Sequence, residues 1–303
     1  MVATILVPLD GSVLAEKALP YAERLSTDTG SRLVLSRVLP LLNMQAPESD
    51  LASADEARVY LRGIAERLSA GGRQVDTDTP WGAPVGSILD QIRLHQAQVV
   101  VMATHGRSGP GRWLYGSVAD DVLRHASVPV VLVSPLSANW SPDRPLSILV
   151  PLDGSHLAEA ALGPAEQLAR QLGSGLVLLQ VVPFPSYAVY GDEAYVAAFD
   201  PEAAIAEAQE YLKSIASRLR PFITDVRVRI DLGQPPVAIA EVAAQEHASL
   251  IAMATHGRSG LARLVLGSVA TGTLRRASVP LLLVRPTALE MAGVADRGAV
   301  AAG

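Results

Sequence analysis

Cysteine is absent from the 303 residues. That removes disulfides, thiol nucleophiles, cysteine–zinc sites and iron–sulfur clusters from consideration. Lysine is almost absent too: only Lys17 and Lys213 occur, and arginine supplies the remaining positive charge. The net charge is −5. A globally basic nucleic-acid binder is thereby excluded, because such a protein needs a dense cationic face to displace phosphate counterions. No apolar run approaches the roughly 20 residues that span a bilayer. The N-terminal MVATILVPLDGS reaches Pro8 and Asp10 after a stretch too short for a secretory leader. The expectation is a soluble, cytoplasmic protein with neither nucleic acid nor membrane as partner. Apolar residues make up 49% and charged residues 18%, enough to build packed cores rather than a disordered chain. The length exceeds what one core usually serves and points to two domains.

The sequence contains one unit twice. Thr4–Pro40 and Ser147–Pro183 align without a gap, with about 23 of roughly 37 positions identical. Val99–Pro135 and Leu250–Pro286 form a second matching pair, sharing ATHGRSG, GSVA and ASVP. Only the middle third of each unit has drifted, and it is longer in the second copy. The intervening SPLSANWSPDRPLS has a linker composition. The division is a first domain over 1–136, a linker over 137–146, a second domain over 147–287 and a frayed tail over 288–303.

Within the first unit, Ile5–Val7 reads as a strand ended by Pro8-Leu9-Asp10-Gly11. Ser12 is a good helix cap, and a helical pattern follows to Gly30. Leu33–Val38 is the second strand. Glu56–Leu68 is helical, Gln74–Thr79 a strand and Val85–Gln96 a helix. Val99–Ala103 is continuously apolar, as in a strand buried on both faces. Ser117–His125 is a short helix and Val130–Val133 the last strand. Alternation of this kind predicts an α/β fold: two tandem doubly wound domains, each a five-stranded parallel sheet with helices on both faces. Ligands in such sheets sit beyond the carboxyl ends of the strands where the strand order reverses. The loops after the first and fourth strands are therefore the places to search.

The fourth-strand loop contains His105-Gly106-Arg107-Ser108-Gly109, with Gly116-Ser117 opening the next helix. Glycines let amides turn toward an anion, and a helix start offers free N–H groups. Ser117 adds a hydroxyl and Arg107 a charge, so the constellation suits phosphate. The second copy repeats it with Gly257, Arg258, Gly267 and Ser268. A plain tight turn explains any single glycine loop, and a turn needed for folding would also be kept in both copies. There is no Walker loop. Leu114 stands where a dinucleotide fingerprint needs its third glycine.

This pattern, Gly-x-x-Gly-x9-Gly-Ser behind a first strand that ends in Asp-Gly-Ser, resembles the universal stress protein family over nearly the whole chain, as a tandem member. The resemblance implies the adenine nucleotide alpha hydrolase-like arrangement, a stress-response role and ATP bound at the carboxyl edge of each sheet, with Mg or Mn bridging the phosphates. By position, Pro8, Leu9, Asp10 and Val38 would line the adenine, and Met102 and Ala103 would lie near the ribose. Gly106, Arg107, Gly116, Ser117 and Val118 would hold the phosphates. The second site would use Pro151, Leu152, Asp153, Val181, Met253, Ala254, Gly257, Arg258, Gly267, Ser268 and Val269. Ala103 and Ala254 depart from the family pattern, which has glycine there. A methyl near the ribose crowds it unless φ is negative.

Other signals carry two readings each. His105 and His256 either contact phosphate or bond locally. Asp10 and Asp153 either orient adenine or a metal-bound water, or accept turn amides. Tyr187, Tyr190 and Tyr195, in a chain with 4% aromatics, form either a lid or packing over the next helix. The apolar last strands, Val130–Val133 and Leu281–Val284, invite pairing. In the family such strands meet across a dimer, which here implies an internal pseudo-dimer or a homodimer. The motifs of related nucleotidyl transferases, H-x-G-H and K-M-S-K-S, are absent. No catalytic base stands at recognisable spacing. A nucleotide-dependent signalling module is the first reading, with a slow ATPase and a ligand-free scaffold as rivals.

Overall fold

A computed structural model of the chain describes residues 4–39, 47–104, 116–138, 140, 146–183, 188–190, 193–195, 200–255 and 266–286. The first half runs β1 (Thr4–Pro8), α1 (Val13–Glu16), α2 (Leu19–Thr29), β2 (Arg32–Ser36), α3 (Pro47–Ser69), β3 (Val75–Asp78), α4 (Pro84–Leu94), β4 (Val99–Ala103), α5 (Ser117–His125) and β5 (Val130–Val133). The second half repeats this as β6 (Ser147–Leu152), α6 (His156–Glu159), α7 (Leu162–Leu172) and β7 (Gly175–Val182). The small strands β8 (Ala188–Tyr190) and β9 (Glu193–Tyr195) follow. The half ends with α8 (Pro201–Leu219), β10 (Val226–Leu232), α9 (Pro235–Gln245), β11 (Leu250–Ala254), α10 (Ser268–Leu274) and β12 (Leu281–Val284).

Two expectations need correcting. The helix anticipated after Ser12 is two helices, α1 and α2, and likewise α6 and α7 in the second half. Pro20 and Pro164 explain the break. Neither has an N–H to donate, and each ring would crowd the carbonyl four residues earlier. The helix expected from Glu56 begins at Pro47. Its early turns bury alanines, while their one large apolar residue, Leu51, is exposed. Ala54 and Ala57 pack against Leu39 and Trp81, a contact that periodicity of Leu and Val does not reveal. The segment that holds the tyrosine cluster contains the antiparallel pair β8–β9. Tyr187 lies outside the described residues, as do 288–303, where a frayed tail was expected.

Each half forms a five-stranded parallel sheet, ordered β3-β2-β1-β4-β5 and β10-β7-β6-β11-β12. The order reverses between β1 and β4, and between β6 and β11. Strand β12 then pairs antiparallel with β5, making one ten-stranded sheet. The register is Leu281 with Leu132, Leu282 with Val131 and Leu283 with Val130. Val131 and Leu282 are equivalent positions, so a pseudo-twofold axis passes through that pair. The internal pseudo-dimer is thus present, and both fifth strands are used within the chain. Two large apolar clusters fill the two faces of the sheet and run across the seam.

The linker is bonded to both halves. Ala138 N–H donates to the Ser278 carbonyl at 2.8 Å. Tyr21 Oη donates to the Ala138 carbonyl at 2.5 Å. Trp140 Nε1 donates to the Ser249 carbonyl at 2.5 Å, and its ring meets Tyr21 edge-on at 5.1 Å. Tyr21 is 1% exposed, and burial pushes its phenol up to about 12. The unfolded phenol ionises near pH ~10. Its contribution is therefore fully present below about pH 10 and lost as pH rises through about 12, an effect of about 2–3 kcal/mol. Tyr21→Phe is expected to lose about 1–2 kcal/mol at neutral pH and to flatten that alkaline decline. Urea midpoints measured at neutral and alkaline pH check both.

Candidate functional site

Two cavities open at the carboxyl ends of the strands, one at each reversal of strand order. The first has about 500 Å³ and the second about 610 Å³. The first is lined by Pro8, Leu9 and Asp10 leaving β1, and by Val38 beyond β2. Met102 and Ala103 close β4 against it, and Gly116, Ser117 and Val118 open α5 beside it. The second repeats these positions with Pro151, Leu152, Asp153 and Val181, then Met253, Ala254, Gly267, Ser268 and Val269. Gly106, Arg107, Gly257 and Arg258, and the histidines 105 and 256, lie outside the described residues.

The turn after β1 is held by its own side chains. Asp10 Oδ1 accepts the Ser12 amide at 2.9 Å, and the Ser12 hydroxyl accepts the Ala15 amide at 3.1 Å. Asp153 accepts the Ser155 amide at 2.9 Å, and the Ser155 hydroxyl accepts the Ala158 amide at 3.2 Å. Both aspartates thus brace a turn and also line a cavity. The base of the fourth-strand loop closes on itself. Gly116 N–H donates to the Thr104 carbonyl at 2.6 Å, and Gly267 N–H to the Thr255 carbonyl at 2.8 Å. These two amides are engaged in loop closure. Gly116 has φ −63°, available to any residue. A Cβ built there would meet only the Thr104 carbonyl oxygen, at 3.5 Å. Neither backbone conformation nor packing among the described residues demands glycine at this position.

Ala103 and Ala254 end strands with ordinary backbone angles, since the positive-φ non-glycine residues described are Gln96 and His247. Alanine is therefore accommodated at both positions without backbone strain.

A duplicated pair not anticipated from the sequence joins the third helix of each half to the first. Tyr60 Oη donates to Glu16 Oε1 at 3.0 Å, and Tyr211 Oη to Glu159 Oε1 at 3.1 Å. Burial, reinforced by the neighbouring carboxylate, pushes both phenols well above the usual tyrosine value. The signal available was the alignment of the drifted middle thirds, where YLRGIAERL matches YLKSIASRL.

The two cavities differ where the copies differ. The Arg37 guanidinium sits 5.2 Å from the Tyr60 ring centroid and packs over Gly11. Its counterpart is Gln180, which lines the second cavity together with Ala204, Glu207 and Ala208 of α8. The second cavity thus reaches Gln180 and α8, whereas Arg37 does not line the first. Ser36, 1% exposed, lines the first cavity where the second half has Leu179. Among the described residues no three His, Cys, Asp or Glu side chains gather as a metal site. No described helix is long and apolar enough to cross a membrane.

The sequence profile of the Universal stress protein family matches residues 1–134 and 146–285. The chain belongs to the universal stress protein family. A universal stress protein of Mycolicibacterium smegmatis is 28% identical over 300 residues, covering 93% of this chain and 97% of the relative. One of Mycobacterium tuberculosis is 25% identical over 303 residues, covering 93% and 96%. Both matches span the two domains. The crystal structure of a universal stress protein from Archaeoglobus fulgidus superposes with a TM-score of 0.71 at 22% identity, covering 93% of this chain and 98% of that one. At that identity the likeness concerns the fold. The tandem arrangement is thus shared with proteins of this family.

The Tyr–Glu pairs fasten α3 to α1 and α8 to α6, the short helices that follow the first strand of each half. Tyr60→Phe and Tyr211→Phe are each expected to cost about 1–2 kcal/mol, read as lower urea midpoints. The two losses should add in the double variant, since the pairs lie in different halves and share no partner.

Proposed function

We propose that this tandem universal stress protein binds one molecule of ATP in each half and acts as a nucleotide-dependent binding module. The observation that carries the reading is the recurrence of a cavity at both reversals of strand order, with fifteen equivalent lining positions in each. Both volumes fall within the roughly 300–1,000 Å³ of small-molecule sites. The purine would lie between the aliphatic walls, Leu9, Val38 and Met102 in the first half and Leu152, Val181 and Met253 in the second. The phosphates would run toward the starts of α5 and α10, where Ser117 and Ser268 offer hydroxyls. By sequence alone, Gly106, Arg107, Gly257 and Arg258 complete the phosphate contacts.

Asp10 is a carboxylate at the first cavity, and Asp153 and Glu207 stand at the second. A Mg or Mn ion would therefore draw most of its oxygen ligands from the phosphates and water. The protein's part would be to hold the nucleotide beside these carboxylates. The stress-response role comes from the family alone.

Gly116 separates the binding reading from a purely structural turn. Its conformation is open to alanine, yet it lines the cavity. Gly116→Ala is expected to leave thermal unfolding nearly unchanged and to weaken ATP binding at the first site on the order of tenfold, the scale of a close-packed methyl. Calorimetric titration with ATP and magnesium is expected to give two sites per chain. Val38→Trp should remove the first and Val181→Trp the second, with the fold checked by circular dichroism. Absence of heat at millimolar nucleotide would remove the proposal and leave the scaffold reading.

A further inference from the structure

A third cavity, about 230 Å³, lies between the two halves, far from the first two. Leu25 and Val131 of the first half and Pro164, Leu168 and Leu282 of the second line it. It does not lie on the pseudo-twofold axis alone, so it has a mate, and that mate is filled. The pseudo-twofold relates Gln98 to Ser249, Ser127 to Ser278 and Pro164 to Tyr21. Gln98, Ser127 and Pro164 all line the open cavity. On the other side, the Ser249 carbonyl accepts Trp140 Nε1 and the Ser278 carbonyl accepts the Ala138 amide. There Tyr21 meets the Trp140 ring edge-on. The linker, which follows β5, supplies the indole that plugs one of two equivalent hollows.

The geometry points to the open hollow as a binding site for a small planar aromatic molecule carrying an N–H donor, of the indole class. The mate shows what such a hollow holds: a bicyclic ring against aliphatic side chains, with its N–H on a backbone carbonyl at the head of the fourth strand. The size agrees. A dry apolar cavity of ~150 Å³ already takes benzene, while drug-sized ligands need more than ~300 Å³. Walls from both halves mean that the site exists only when the β5–β12 seam is formed. Its ligand would therefore favour the docked arrangement of the two domains. This site is independent of the nucleotide reading.

The test is equilibrium dialysis of the full chain against indole, with excess ATP present to occupy the sites at the carboxyl edges. One equivalent is expected for the unaltered protein. Val128→Trp, which puts a ring into the hollow from its half-buried rim, should abolish binding. Trp140→Ala should raise the stoichiometry to two, with indole restoring part of the lost thermal stability. Failure of the unaltered protein to bind, or binding that survives Val128→Trp, would overturn the assignment. Binding that requires removal of residues 287–303 would also overturn it, by giving the hollow to the chain's own C-terminal segment.

Discussion

The order in which the strands are laid down governs the rest of the molecule. From β1 the chain moves outward to β2 and β3, then crosses back to β4 on the other side. The connections after β1 and β4 therefore leave toward opposite faces, and nothing in the sheet itself can fill the space between them. A crevice at that point is a consequence of topology before any side chain is chosen. The side chains then set its character: aliphatic walls from Leu9, Val38 and Met102, and polar groups from Asp10 and Ser117. Because the unit is duplicated, the crevice is duplicated as well.

The second constraint is the unsatisfied outer edge of each fifth strand. Val130–Val133 and Leu281–Val284 are buried throughout, so left apart they would expose apolar faces and open hydrogen-bonding groups. Pairing them antiparallel solves both problems at once and makes one sheet of two domains. The linker then reinforces the junction. Trp140 and Ala138 bond to the second half while Tyr21 holds them from the first. The outer edges that remain are β3 and β10. Both carry charged residues, Asp76 and Asp78 on one and Arg227 and Arg229 on the other, which disfavours further pairing.

Much of this was legible in the sequence because the information was local or repeated. The parallel sheet with helices on both faces followed from alternation, and the central strands from runs such as Val99–Ala103. The place to search followed from the turns after the first and fourth strands, and the individual lining positions came from the family resemblance. What was not legible depended on contacts between distant segments. Tyr60 with Glu16, Arg37 over Gly11, and Ala54 and Ala57 under Trp81 each join residues whose meeting no period encodes. The breaks before Pro20 and Pro164 were available from proline chemistry but masked by an unbroken helical pattern. The engagement of the Gly116 amide in loop closure was hidden because a glycine that binds and a glycine that turns look alike in a sequence. The differences between the copies, Arg37 against Gln180 and Ser36 against Leu179, gained meaning only once Ser36 was seen to line the first cavity and Gln180 the second.

Nucleotide occupancy of both crevices is the central claim, and crystals grown with ATP and magnesium test it most directly. The account predicts adenine density against Val38 in one half and Val181 in the other, with phosphates leading to Ser117 and Ser268. Nucleotide found elsewhere on the molecule, or both crevices without density at saturating ATP, would contradict it.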